Sequence, residues 1–180
     1  MIKVKKIKTS FKGVNLGKTE TAGITFEQEL ARRGSPVQTG KGADYKAESL
    51  EVKTKSKESR SANVICTMSR SDIIKTPYAK SALREKMLQQ LRVETEDGVI
   101  VKEGIYDFSK PFIQDIIQEA YEIGREKLKE EDPPDYIYCT RYGYFEKRPK
   151  TKNSYMYRIN VKAMKELEDM SKSTFENWFK

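Results

Sequence analysis

Between residues 49 and 55 the side chains alternate, with Leu50 and Val52 on one side of an extended chain and Glu51 and Lys53 on the other. A period of two over this length predicts a strand with one face buried. The opening run, residues 1–11, alternates apolar and basic residues and predicts an edge strand protected by its lysines. Residues 63–68 form a short apolar run that predicts a buried central strand, and Val99-Ile100-Val101 follows a Glu96-Asp97-Gly98 turn as another. Three further strands are expected over 136–139, 142–147 and 154–161. A helical period marks residues 24–33, with Thr25 as the cap and Gly34-Ser35-Pro36 as the stop. It marks residues 81–91 as well. The longest helix should run from Pro111 to about Glu130, with Ile113, Ile116, Ile117, Ala120 and Ile123 as its apolar stripe and Pro133-Pro134 ending it. A terminal helix or helix pair covers 161–180. Strands interrupted by helices predict an α/β chain of mixed α+β type, a central mixed sheet flanked by helices.

Composition narrows the chemistry. The 180 residues suffice for one well-cored domain. Lys and Arg number 35 against 27 Asp and Glu, a net charge of +8, which favours a polyanionic partner. Histidine is absent. That excludes Ser-His-Asp and Cys-His catalysis, His-ligated zinc hydrolases and histidine general bases, leaving carboxylates, lysine, tyrosine or an oxygen-ligated metal. Cys66 and Cys139 stand far apart in strand-like runs and are expected as buried thiols. No apolar stretch reaches membrane-spanning length, and the N-terminal run lacks the apolar core of a signal peptide, so a cytoplasmic location and no membrane contact are expected.

The segment carrying chemistry is Gly42-Ala-Asp-Tyr-Lys-Ala-Glu-Ser-Leu-Glu-Val-Lys-Thr-Lys. On a strand Glu51 and Lys53 share a face, about 7 Å apart along the chain. Asp44, seven residues before Glu51, can return beside it through a turn. Two carboxylates and a backbone carbonyl, that of Val52, are the hard oxygen donors that Mg²⁺ accepts, with Mn²⁺ able to substitute. Such an ion polarises a phosphate and acidifies a water, and Lys53 would orient that water or stabilise phosphoryl charge. The same alternation also fits an ordinary solvated sheet face.

This segment resembles the PD-(D/E)xK nuclease motif, and in particular the MutH family of mismatch-repair and restriction endonucleases. That family carries an Asp, six intervening residues and then Glu-x-Lys-Thr, as in Asp44 and Glu51-Val-Lys53-Thr54; Ala43 stands where the family usually has Pro. Gly23-Ile-Thr-Phe-Glu27 resembles the family's upstream helix, which implies Glu27 as a further active-site acid. Ser81-Ala-Leu-Arg84-Glu-Lys86 resembles its Ser-x-hydrophobic-Arg-x-Lys helix, which implies Lys86 as a second basic residue near the phosphate. Residues 142–150, ending in Arg148-Pro149-Lys150, resemble its base-reading strand and loop. The likeness runs in one order from Gly23 to Lys150.

The resemblance implies a restriction-endonuclease-like fold, two lobes around a DNA-binding cleft, within one endonuclease domain spanning 1–180. Residues 1–102 would be the catalytic lobe and 103–180 the recognition lobe. It implies Mg²⁺-dependent hydrolysis of double-stranded DNA to 5′-phosphate and 3′-hydroxyl ends, with Asp44, Glu51, Lys53, Glu27 and Lys86 as catalytic residues. Arg84, Arg148, Pro149, Lys150 and Lys152 are the expected DNA contacts, since residues 141–152 interleave cations with aromatics and arginine can read a guanine edge. A type II restriction enzyme, acting as a monomer or transient homodimer on DNA, is the leading expectation, with a GATC target implied by the resemblance alone. A strand-nicking repair enzyme working with mismatch-repair partners, a catalytically silent DNA-binding module and an RNA-binding basic protein are the alternatives. Gly13 to Gly17-Lys18-Thr19 and Gly34 to Gly40-Lys41 miss the spacing of a phosphate loop, which argues against ATP.

Overall fold

The computed structural model describes residues 10–38, 42–151 and 153–175. Residues 1–9 of the strand expected over 1–11, Gly40-Lys41, Lys152 and the expected helix beyond 175 lie outside these residues, and Ser10 and Phe11 are not in a strand. In chain order the elements are α1 (Ala22–Arg32), β1 (Leu50–Ser56), β2 (Asn63–Ser69), α2 (Arg70–Lys75), α3 (Ala82–Lys86), β3 (Gln89–Glu96), β4 (Val99–Asp107), α4 (Pro111–Leu128), β5 (Tyr136–Thr140), β6 (Gly143–Lys147), β7 (Ser154–Ile159) and α5 (Val161–Phe175). This is a mixed α+β chain. Instead of one central sheet, the described strands form two sheets, each in its own compact unit. Of the described residues, the first unit comprises those through Arg60, Leu88–Asp107 and those from Ser171 on; the second comprises those within Ser61–Met87 and Phe108–Met170.

In the first unit the strand order is β1-β3-β4, with β1 parallel to β3 and β3 antiparallel to β4. The β3–β4 hairpin turns through Asp97 and Gly98, both at positive φ (51° and 83°), the backbone that a two-residue Asp-Gly loop supplies. A Cβ on Gly98 would stand 2.7 Å from Gly17 O, so this position excludes a side chain twice over. One face of the sheet packs Leu50, Leu91, Val93, Ile100 and Ile105 against Phe26 and Leu30 of α1 and against Phe11, with Val52 partly buried beside them. The start of α1 corrects the expected cap. Thr21 occupies the cap position, and Thr25 lies inside the helix with its hydroxyl donating to Thr21 O at 3.0 Å. Gly34, at φ 86°, closes the helix end.

The helix expected over 81–91 is also corrected. Only Ala82–Lys86 is helical, and Gln89-Gln90-Leu91 begin β3. Ser81 ends the ambiguity at the front, accepting the Arg84 N–H at 3.1 Å as a side-chain cap.

The second unit holds an antiparallel sheet in the order β2-β7-β6-β5. Thus β2 is an edge strand, not the central one its apolar run predicted, and Val64 and Thr67 are exposed while Ile65, Cys66 and Met68 are buried. α4 lies over β5 and β6 through Ile113, Ile117, Ala120, Tyr121, Gly124 and Leu128. Ile123 is exposed and Ile116 only half-buried, because at 100° per residue Ile123 falls roughly 100° from the centre of that stripe. Tyr121, Phe145 and Tyr157 build the aromatic centre, with Phe145 edge-on to Tyr157 at 5.3 Å. Cys66 and Cys139 are buried thiols, not joined in a disulfide. Among the described residues no helix is long and apolar enough to cross a membrane.

Candidate active site

Asp44 reaches Glu51 through a closed turn. Tyr45 N–H donates to Leu50 O at 2.9 Å and Leu50 N–H returns a bond to Tyr45 O at 3.1 Å. Lys46–Glu48 between them make one 3₁₀ turn, and Ser49 takes a left-handed conformation (φ 52°) to re-enter the strand. Tyr45 is buried in the core, so the turn is anchored at its base. One residue beyond this pair, the chain sets Asp44 opposite Glu51. Asp44 N–H donates to Glu51 Oε1 at 3.2 Å, and Asp44 Oδ2 accepts the Val52 N–H at 2.9 Å. A residue's N–H and C=O leave a strand on the same side. The Val52 carbonyl therefore projects from the β1 edge that faces Asp44, the edge away from β3.

Glu51 is only 2% exposed, and Lys53 Nζ lies 3.5 Å from Glu51 Oε2 with its own side chain 25% exposed. A carboxylate this deeply withdrawn from water needs such partners, and they hold it in one orientation. Glu27, on the exposed side of α1, titrates above the usual carboxylate range through partial burial first and the Asp44 charge second. The Tyr45 hydroxyl is raised as well, by burial first and then by Asp44, Glu27 and Glu48. Asp44 is thus flanked by Glu27 of α1 and Glu51 of β1, an acidic pole whose Glu51 end meets the Lys53 ammonium.

The parallel register adds residues that local sequence patterns do not reveal. Glu51 pairs with Gln90 and Lys53 with Arg92, while across the hairpin Gln90 pairs with Tyr106 and Arg92 with Gly104. Paired residues in a sheet share a face. Glu51, Lys53, Gln90, Arg92 and Tyr106 therefore stand together on the face opposite α1. Gln90 is fully buried and Arg92 Nη1 donates to its Oε1 at 2.7 Å. The alternation of Leu91, Val93 and Thr95 with Arg92, Glu94 and Glu96, running into an Asp-Gly turn, is the signal that could have found this strand.

The other expected residues lie in the second unit. Arg84 is exposed on α3 and Lys86 half-buried at its last turn. Arg148, Pro149 and Lys150 are exposed in the β6–β7 turn, with Lys150 left-handed at φ 63° and Arg148 N–H donating to Ser154 O at 2.8 Å. Of the tyrosines nearby, Tyr155 and Tyr157 are buried sheet residues, and Tyr144 is half-buried against Tyr136 at 4.9 Å.

Among the described residues no three His, Cys, Asp or Glu side chains converge as a metal-binding group. The oxygen donors that do converge are Asp44, Glu51 and the Val52 carbonyl, two anionic and one neutral, a set that suits a hydrated hard cation. No protein-family model matches the chain, and no curated protein matches it either.

Proposed function

We propose that this protein is a Mg²⁺-dependent endonuclease of double-stranded DNA, with a restriction-endonuclease-like architecture and a type II restriction role in the cytoplasm. The observation that supports the reading is the mutual lock of Asp44 and Glu51 with Lys53 at 3.5 Å from Glu51, since two carboxylates and one ammonium are the groups a metal-dependent phosphodiester hydrolase draws on. Asp44, Glu51 and the Val52 carbonyl would hold Mg²⁺, or Mn²⁺ in its place, which when bound supplies Lewis-acid polarisation of the phosphate and a more acidic water. Lys53 orients the attacking water and offers its charge to the phosphoryl oxygens. Water adds to phosphorus, the P–O3′ bond breaks, and a 5′-phosphate and a 3′-hydroxyl remain. Glu27 tunes the acidic pole through its charge on Asp44.

Lys86 enters this reading only as the basic residue that the family resemblance implies. Arg84, Arg148, Pro149, Lys150 and Lys152 contact the duplex, the net charge of +8 favouring its approach. The chemistry in this reading belongs to the unit that carries β1, β3 and β4, which runs on to Asp107 and excludes Ser61–Met87, so the division differs from one at residue 102, and recognition belongs to the other unit. One catalytic set per chain cuts one strand per encounter, so a double-strand break draws on a transient homodimer or a second binding event.

Supercoiled plasmid incubated with the protein and Mg²⁺ tests this. Cleavage that needs the metal and vanishes in Asp44→Asn and Lys53→Ala supports it; intact plasmid with the parent protein overturns it. Linear product marks restriction, whereas open circles that persist mark a MutH-like nicking enzyme. A gel shift of duplex DNA without any cutting marks a silent DNA-binding module.

A further inference from the structure

Resting on that reading, we infer that Arg92 is a further catalytic residue, the cation of β3 that grips the phosphate beside Lys53 of β1 and is held in position by Gln90. Arg92 stands in register with Lys53 across the parallel β1–β3 pair, so both side chains leave the same face at neighbouring points. Its direction along that face is set as well. Gln90 lies two residues before Arg92 and opposite Glu51, and the Arg92 Nη1 donation to Gln90 Oε1 at 2.7 Å draws the guanidinium back toward the Glu51 end of the face. Gln90 is wholly buried, so this anchor is rigid.

On the far side of Arg92, glycine is the residue the face permits. A Cβ on Gly104, the register partner of Arg92, would meet the Tyr106 hydroxyl at 2.9 Å. The Tyr106 ring therefore folds along β4 over Gly104, and its hydroxyl enters the row of Lys53 and Arg92. The row combines an ammonium, a guanidinium and a phenol, with the Glu51 carboxylate against the ammonium. Lysine supplies a point charge, whereas a planar guanidinium presents paired N–H donors that match two phosphoryl oxygens at once. Arg92 thus binds the non-bridging oxygens as charge gathers on them, and Gln90 is a positioning residue that fixes the fork.

The experiment compares supercoiled-plasmid cleavage at saturating DNA by the parent, Lys53→Ala, Arg92→Ala and Arg92→Lys, each with and without added guanidinium chloride against NaCl of equal ionic strength. Arg92→Ala is expected to cut about 100-fold more slowly, the scale for losing one transition-state donor, with its duplex affinity in Ca²⁺ and its Tm near the parent values. Guanidinium should restore at least a tenfold part of that loss in Arg92→Ala and nothing in Lys53→Ala. If Arg92→Ala does not fold, Arg92→Lys decides. A folded Arg92→Lys protein at least tenfold slower supports the fork; parental speed overturns it. Parental speed in Arg92→Ala, or a loss that guanidinium leaves untouched and that follows a lowered Tm, also overturns the assignment while the nuclease reading stands. If the parent itself leaves plasmid intact, both fall.

Discussion

Asp44 and Glu51 are tied by reciprocal use of each other's strand: the Asp44 main-chain N–H serves the Glu51 carboxylate, and the Asp44 carboxylate serves the N–H of Val52, next to Glu51. Glu51 cannot swing away without losing the Asp44 N–H, nor Asp44 without losing the Val52 N–H. The Asp44 side chain therefore has a structural task separate from chemistry, and the two can be divided. Asp44→Asn keeps an oxygen for the Val52 N–H but loses the charge. Its Tm should stay near that of the parent while Mg²⁺-dependent cleavage falls at least about 100-fold. Asp44→Ala loses the bond too and should cost about a further 1 kcal/mol in urea unfolding.

Lys53 neutralises a carboxylate that water barely reaches, since Glu51 is 2% exposed. Lys53→Met leaves that buried charge without its ammonium and should destabilise the protein by about 1–3 kcal/mol at neutral pH. Glu51→Gln combined with Lys53→Met removes both charges and should recover most of that stability without recovering cleavage. Urea titration of the two proteins measures the difference, and equal midpoints would count against the pair.

Glu27 gives a pH signature. Its folded-state value lies above the ordinary 4.5, so the folded protein binds this proton more tightly than the unfolded chain does. The associated stability is fully present below pH 4.5 and is lost as pH rises through the folded value. Glu27→Gln removes that loss. Its Tm should equal the parent's below about pH 4 and exceed it at neutral pH, by an increment within about 1 kcal/mol because the side chain is exposed. A Tm advantage that does not change with pH would contradict the assignment.

Gly143 opens β6 directly against the buried Tyr157 ring, whose hydroxyl occupies the space a Cβ would need and donates to Tyr142 O at 3.0 Å. Gly143→Ala should displace Tyr157 and destabilise the protein by about 3 kcal/mol, the upper range for overpacking a tight core. Tyr157→Phe in the same background removes the hydroxyl and should return part of it, which denaturant unfolding of the single and double variants would show.

Ser81 supports the helix that carries Arg84 and Lys86. Its hydroxyl accepts the Arg84 N–H at 3.1 Å and donates to Tyr78 O at 2.7 Å, and the residue is buried. Ser81→Ala should cost about 1–2 kcal/mol, and Ser81→Thr, which keeps both bonds, much less. Hydrogen exchange at residues 84–87 would locate the loss in this helix.

Features set by neighbours along the chain are legible in the amino-acid sequence itself. The Leu50-Glu51-Val52-Lys53 alternation, the Asp44-to-Glu51 interval, the 18-residue helix α4 and the Asp97-Gly98 turn all follow from local periods and backbone preferences. Where the local pattern misleads, distant partners decide. Leu83, Met87, Leu88 and Leu91 repeat at helical spacing, yet the chain leaves the helix after Lys86 because Gln89–Glu96 bonds to β1 and β4 on both sides. The apolar run of β2 signals burial without saying at which edge of a sheet it sits, and the stripe of α4 turns away from Ile123 toward Tyr121, Gly124 and Leu128 to meet β5 and β6. Likewise, Gln90 and Arg92 have no sequence proximity to Glu51 and Lys53. A side chain's face is decided by its own strand, but the residue beside it is decided by which strand pairs there and in which register, and that pairing is a long-range choice made by the folded chain.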